Sequence, residues 1–305
     1  MLPNAVDPDT GESGVNGSFN WNDCRSDAGA VATSADDVGF IGALINWMDE
    51  NRNIDLQRVY VVGGSNGGMM AYRLAFELSD RVSAVAAVIA NLPGNSECEP
   101  QPAHPISVLL MNGTLDIFIP FAGGQVLGNR GLVLSADATR EFFTNFLGTD
   151  ADPEHVDFPD LDPTDAGDVG RDTYRGGMEG NEVVFYRANG AGHNFPSIAH
   201  PLGPGGEAIF GEQNHDIESA VEIWSFFRAE NSSRSRFPRR APGALHSSRP
   251  CSWPSALPPW AYGSGLARHA TSPSGIRALT CPGGGRDFEP PPRASAAAFS
   301  PWWDP

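Results

Sequence analysis

The chain has 305 residues, of which 40% are hydrophobic, and its 37 acidic against 20 basic residues give a formal net charge of −17. That length buries one large core or two modest ones, and that charge argues against nucleic acid or anionic membrane surfaces as partners. Every basic residue is Arg and no lysine occurs, which excludes a P-loop lysine, a Schiff-base lysine and a Ser–Lys base. No apolar run approaches the roughly 18 residues of a membrane span.

The opening, MLPNAVDPDTGESG, has neither the basic n-region nor the apolar h-region of a secretory leader. Ser34 reads as a helix N-cap, followed by Asp36 and Asp37 in the first turn and by VGFIGALINWMDENR at helical spacing. RVYVVGG (58–64) is a β-branched run ended by glycines, the pattern of a buried parallel strand. MMAYRLAFELSD (69–80) reads as an amphipathic helix, and VSAVAAVIA (82–90) and ISVLLMNG (106–113) as buried strands. ADATREFFTNFLG (136–148) is a helix closed by glycine. RDTYRG (171–176) and EVVFYRA (182–188) read as strands, and DIESAVEIWSFFRAE (216–230) as a closing helix. The alternation predicts an α/β fold: a mostly parallel sheet with helices on both faces.

Composition changes near residue 231. Residues 1–230 hold 34 acidic and 11 basic residues, whereas 231–305 hold 3 and 9, together with 13 of the 26 prolines. The second segment shows neither period and reads as a disordered, low-complexity tail behind a catalytic core at 1–230. Trp302 and Trp303 are the features of that tail that a partner could use. Of the four cysteines, Cys24 and Cys98 flank the central glycine-rich motif in sequence, either as a disulfide of an exported enzyme or as two separate thiols; Cys251 and Cys281 lie in the tail. No CxxC pair occurs, and the spacing of His193 and His200 fits no zinc signature, so no metal site is expected.

The chemistry points to Gly63-Gly64-Ser65-Asn66-Gly67, a Gly-x-Ser-x-Gly set between a strand and a helix. A nucleophile elbow needs that context: the serine sits in a strained turn, and small residues at −2 and +2 let the backbone pass. The helix N-terminus favours developing negative charge, which makes the Asn66 amide a candidate oxyanion donor. A dinucleotide fingerprint fails, because Asn66 and Met69 fall on glycine positions. A serine hydroxyl needs a base, and the base needs a carboxylate. Asp116, in the loop NGTLD after a strand, and His193, in the glycine-rich loop NGAGHNFP, supply both in the order Ser, Asp, His. His215 competes as base, but it precedes a helix whose N-terminal potential disfavours an imidazolium. Trp21, in the loop before the first helix, is a pocket wall or simply core.

GGSNGGMMAYRLA, MNGTLDIFIPFAGG, GAGHNFP and DIESAVEIWSFF, with FNWNDC and DDVGFIGALI ahead of them, together resemble the polyhydroxybutyrate-depolymerase-like esterases, whose relatives include feruloyl and acetylxylan esterases. The resemblance spans roughly residues 4–229. It implies an α/β-hydrolase fold and a secreted, cofactor-free serine esterase acting on small or polymeric esters, with Ser65, Asp116 and His193 as triad. Asn194 stands where the family more often has another small polar residue. In the family, several strands and a His-Gly loop with a second oxyanion donor precede FNWNDC, and no such motif precedes Ser65 here. An N-terminally truncated member is therefore expected. Loss of one oxyanion donor costs about 10²–10³ in rate, so an inactive homologue is the alternative, beside a feruloyl or acetylxylan esterase or a peptidase on the same fold.

Overall fold

A computed structural model describes residues 20–26, 36–98, 102, 104–165 and 167–234, and for 231–234 the backbone alone. These all fall in the first of two compact units, Met1–Gly243; the second, Ala244–Pro305, lies outside the described residues, as does most of the segment expected to be a tail.

The helix α1 spans Asp37–Arg52. Its N-cap is Asp36, whose carboxylate accepts from the Gly39 amide at 2.8 Å. This corrects the expectation of Ser34, which lies outside the described residues; the carboxylate three residues before an unpaired amide is the better-placed acceptor. After one 3₁₀ turn, β1 (Tyr60–Gly64) leads through Ser65 into α2 (Asn66–Glu77). The helix begins three residues earlier than the apolar spacing indicates, because Asn66, Gly67 and Gly68 contribute no apolar side chain to the pattern while Ser65 already caps it. Strands β2 (Ala84–Val88) and β3 (Ser107–Gly113) follow, then a short hairpin of β4 (Gly124–Gln125) and β5 (Leu132–Val133). The helix α3 (Ala136–Leu147) has Ser135 as N-cap and ends at Gly148 in the left-handed region. Strands β6 (Glu154–Asp157), β7 (Val169–Tyr174) and β8 (Val183–Ala188), then α4 (Gly203–Phe210) and α5 (Ser219–Arg234), complete the order.

The main sheet runs β1-β2-β3-β8-β7-β6. Its first four strands are parallel, while β7 and β6 add antiparallel at the far side. This mostly parallel sheet with helices on both faces fits the α/β-hydrolase fold. Side chains alternate between two cores, as period-2 strands require. Val85, Ala87, Val108, Leu110 and Phe185 face α1, α2 and α3, where Met69, Tyr72 and Phe143 fill the space. Ala84, Ala86, Leu109, Met111 and Tyr186 face α5 through Ile223, Phe226 and Phe227. Each fully buried large side chain contributes about 1.5–3 kcal/mol relative to exposure. Because β1, β2, β3 and β8 run the same way, their C-terminal ends meet on one edge of the sheet, where open α/β sheets carry their sites.

Candidate active site

Three of those strand ends carry the residues singled out from the sequence. Ser65 follows β1 with φ 55° and ψ −126°, a conformation that a residue with a Cβ adopts only under constraint. The constraint is visible on both sides. The Ser65 amide donates to the Val88 carbonyl at 3.0 Å, and the Ser65 carbonyl accepts from Gly68 and Met69 as α2 begins. A Cβ on Gly63 would collide with the Gly67 carbonyl, and one on Gly68 would stand 2.6 Å from the Ala90 side chain. Both positions therefore need glycine for the backbone to turn this tightly.

Asp116 follows β3 and is buried. Its Oδ1 accepts from the amides of Phe118 and Ile119 at 2.8 and 2.9 Å. Its Oδ2 lies 2.7 Å from His193 Nδ1. His193 follows β8, and its Nε2 lies 2.9 Å from Ser65 Oγ. The loops that bring these residues together are fastened through main chain. Leu115 donates to the Ala191 carbonyl, Gly192 to Glu212, and His193 to Phe210 at 2.5 Å. A Cβ on Gly113 would collide with the Ala191 carbonyl, and one on Gly192 with the Phe210 carbonyl. The Phe118 ring stacks on the imidazole at 4.9 Å between centroids and meets Phe210 at 5.6 Å.

Ser65, Asp116 and His193 are thus one hydrogen-bonded chain from three separate strand ends. His215 is engaged elsewhere: its Nδ1 faces the Ser197 carbonyl at 2.7 Å, and its amide donates to Asp165. Asn66, singled out for its amide, also has a role for its side chain that no motif signals. The carboxamide accepts from the Trp21 amide at 2.7 Å and donates to the Trp21 carbonyl at 3.0 Å and to Asp23 at 2.7 Å. Asn194 holds its neighbours through Nδ2, which donates to the Gly211 and Glu212 carbonyls. Phe118 escaped notice because a lone aromatic two residues past an aspartate has no pattern of its own. Cys24 and Cys98 are joined by a disulfide with Cα atoms 5.5 Å apart. Among the described residues, the cluster of metal-ligating type is this pair with Glu77, and both of its sulfurs are committed to the bond. No helix among the described residues is long and apolar enough to cross a membrane.

No family model matches the chain. It is 30% identical over 193 residues to "Putative esterase NocK" of Nocardia uniformis subsp. tsuyamanensis, a match covering 60% of this chain and 55% of that protein. It is 31% identical over 108 residues to feruloyl esterase B of Piromyces equi, covering 34% of this chain and 19% of that one. The chain therefore spans about half the length of the first relative and less of the second. These esterase names agree with the feruloyl-esterase resemblance read from the motifs. A solved acetyl xylan esterase from Aspergillus awamori overlays with a TM-score of 0.37 at 16% identity, covering 59% of this chain and 69% of that one, too loosely to carry an argument.

Proposed function

We propose that this chain is a serine carboxylic ester hydrolase of the polyhydroxybutyrate-depolymerase-like kind, working through an acyl-enzyme at Ser65. The observation that carries the reading is the unbroken hydrogen-bond line from Ser65 Oγ through both nitrogens of His193 to a buried carboxylate of Asp116. His193 takes the Oγ proton as Oγ attacks the ester carbonyl carbon, and returns it to the departing alcohol oxygen as the ester C–O bond breaks. A water then attacks the acyl-enzyme by the same route, releasing the acid and restoring the Ser65 hydroxyl. Asp116 holds the imidazole in the tautomer with hydrogen on Nδ1 and stabilises the imidazolium as it forms.

Asn66 is the first residue of α2, so its amide has no partner one turn back within the helix. We assign it as an oxyanion donor, aided by the helix dipole. The depolymerase-like specificity rests on the motif resemblance, and an extracellular location on that resemblance together with the disulfide. The proposed chemistry uses no metal or cofactor.

The test is turnover of p-nitrophenyl acetate and butyrate by the purified chain beside Ser65→Ala. A burst followed by steady turnover, both lost in the variant, is expected. No burst and no turnover from a folded, soluble sample would sink the reading in favour of an inactive homologue.

A further inference from the structure

Residues 20–25 are fastened to the nucleophile turn more firmly than a surface loop requires. Besides the three Asn66 contacts, the Asn22 amide donates to Asp37 at 2.7 Å and its carbonyl accepts from Arg73 at 2.6 Å. Buried Asp23 takes Arg25 Nε on both oxygens at 3.0 Å, and Arg25 reaches the Arg130 carbonyl at 2.7 Å. Cys24 closes the set through its disulfide.

None of these contacts uses the Trp21 side chain. Both main-chain polar groups of Trp21 are spent on Asn66, which fixes the Trp21 backbone beside the nucleophile turn. The Trp21 side chain packs against the core that α2 helps to form, and the residue remains partly buried. Its Nε1 lies 4.0 Å from the point where a Cβ on Gly67 would stand, beside the first turn of α2 and two residues beyond Ser65. A tryptophan serving only as filler would be held by apolar burial and would not need its backbone pinned to the residue that follows the nucleophile. We propose that Trp21 is a specificity-determining residue, its indole forming one wall of the site in front of Ser65 against the larger group of the ester. The Asn66 side chain is then a positioning residue that holds this wall at a fixed distance from the nucleophile. The inference rests on the ester-hydrolase reading above.

The wall matters to bulky esters more than to small ones, so its signature is a ratio. We would measure kcat/KM for phenyl benzoate and for phenyl acetate. Trp21→Ala is expected to lower the benzoate-to-acetate ratio by about tenfold, the range for losing part of an apolar pocket contact, mainly through KM for benzoate. Trp21→Phe, which keeps a flat ring and covers the case in which the alanine variant does not fold, should retain more of the ratio. Asn66→Ala should lower the same ratio, and the double variant should fall no further than Trp21→Ala, because both changes remove one wall. Trp224→Ala, exposed on α5, should leave the ratio within about twofold, the scatter of independent surface changes. A parallel fall for both esters in Trp21→Ala, an unchanged ratio, a rise for benzoate or multiplying effects in the double variant would each overturn the proposal. Binding of benzanilide, the amide analogue, to Ser65→Ala protein with and without Trp21→Ala separates the two readings. About tenfold weaker binding without the indole supports the wall even if no ester is turned over, and equal binding overturns it even if turnover is normal.

Discussion

Asp116 divides its carboxylate between two tasks: Oδ1 is held by the amides of Phe118 and Ile119, and Oδ2 faces His193 Nδ1. The amides fix the carboxylate's direction, so the imidazole meets an acceptor that cannot swing away. Asp116→Asn can keep the first task, with its carbonyl oxygen facing the amides. Its NH₂ then opposes Nδ1 and forces the wrong tautomer. Esterase kcat should fall by about 10³–10⁴ at neutral pH, with circular dichroism and melting temperature little changed. A fall below tenfold would remove Asp116 from the relay.

Ser65 holds its strained backbone only because neighbours pin it. Ser65→Gly relieves a cost of about 1–3 kcal/mol, less the extra chain entropy of glycine. Denaturant melts should therefore show Ser65→Gly about 1 kcal/mol more stable than Ser65→Ala, with both inactive. Equal stability would mean that the turn stores no strain.

At Gly63 the direction reverses. A methyl group there would meet the Gly67 carbonyl, which belongs to backbone and cannot rotate aside. Gly63→Ala should cost about 3 kcal/mol or more and displace Ser65 from His193, so stability and turnover fall together. Urea titration beside the ester assay checks both.

The Cys24–Cys98 bond closes a separation of 74 residues, a constraint on the unfolded chain worth on the order of 4 kcal/mol. Reduction, or Cys24→Ala with Cys98→Ala, should lower stability by up to that amount in denaturant melts under oxidising and reducing conditions. If loop 20–25 holds the Trp21 wall proposed above, the benzoate-to-acetate ratio should drop in the same samples.

Most of the strands around the site were legible in the sequence because each is a short β-branched run ended by glycine or a loop, and β1, β3 and β8 bring Ser65, Asp116 and His193 to one edge in the expected chain order. Other elements left no such trace. Strand β6 is EHVD, half charged and lying on the exposed flank of β7; pairing with β7 makes it a strand, not a pattern of its own. Helix α4 is GPGGEAIF, a sequence whose three glycines and proline oppose helix formation in isolation. Its C-terminal end is held by the His193 amide on the Phe210 carbonyl, a tertiary contact invisible in one dimension. Helix α5 runs to Arg234, four residues past the composition break at 230, since a helix already anchored by Ile223, Phe226 and Phe227 extends at little cost.

A pH test follows from Glu218, which supports the loop beyond His193. Burial alone would raise its carboxyl, but the Ala199 amide, the Ser197 hydroxyl and the Ile198 amide hold it below the usual carboxylate range. A carboxyl lowered in the folded state adds stability that is present above its unfolded value, near 4.5. That stability is lost as pH falls through the folded value. Wild type should melt above Glu218→Gln at neutral pH, and the gap should close as pH falls below about 4.5. A gap that widens on acidification would reverse the sign and discard the argument.

The loops bearing the acid and the base are joined by amides and carbonyls of Leu115, Ala191, Gly192, His193, Phe210 and Glu212. Main-chain groups are the same in every residue but proline, so a sequence drifting under mutation can replace the exposed side chains of Leu115, Ile117, Ile198 and Ile209 without moving the relay. The bare glycines at 63, 113 and 192 are the exception, because there the absence of a side chain is itself the joint. Substitution at those exposed positions therefore leaves the reaction undisturbed, whereas substitution at those three glycines does not.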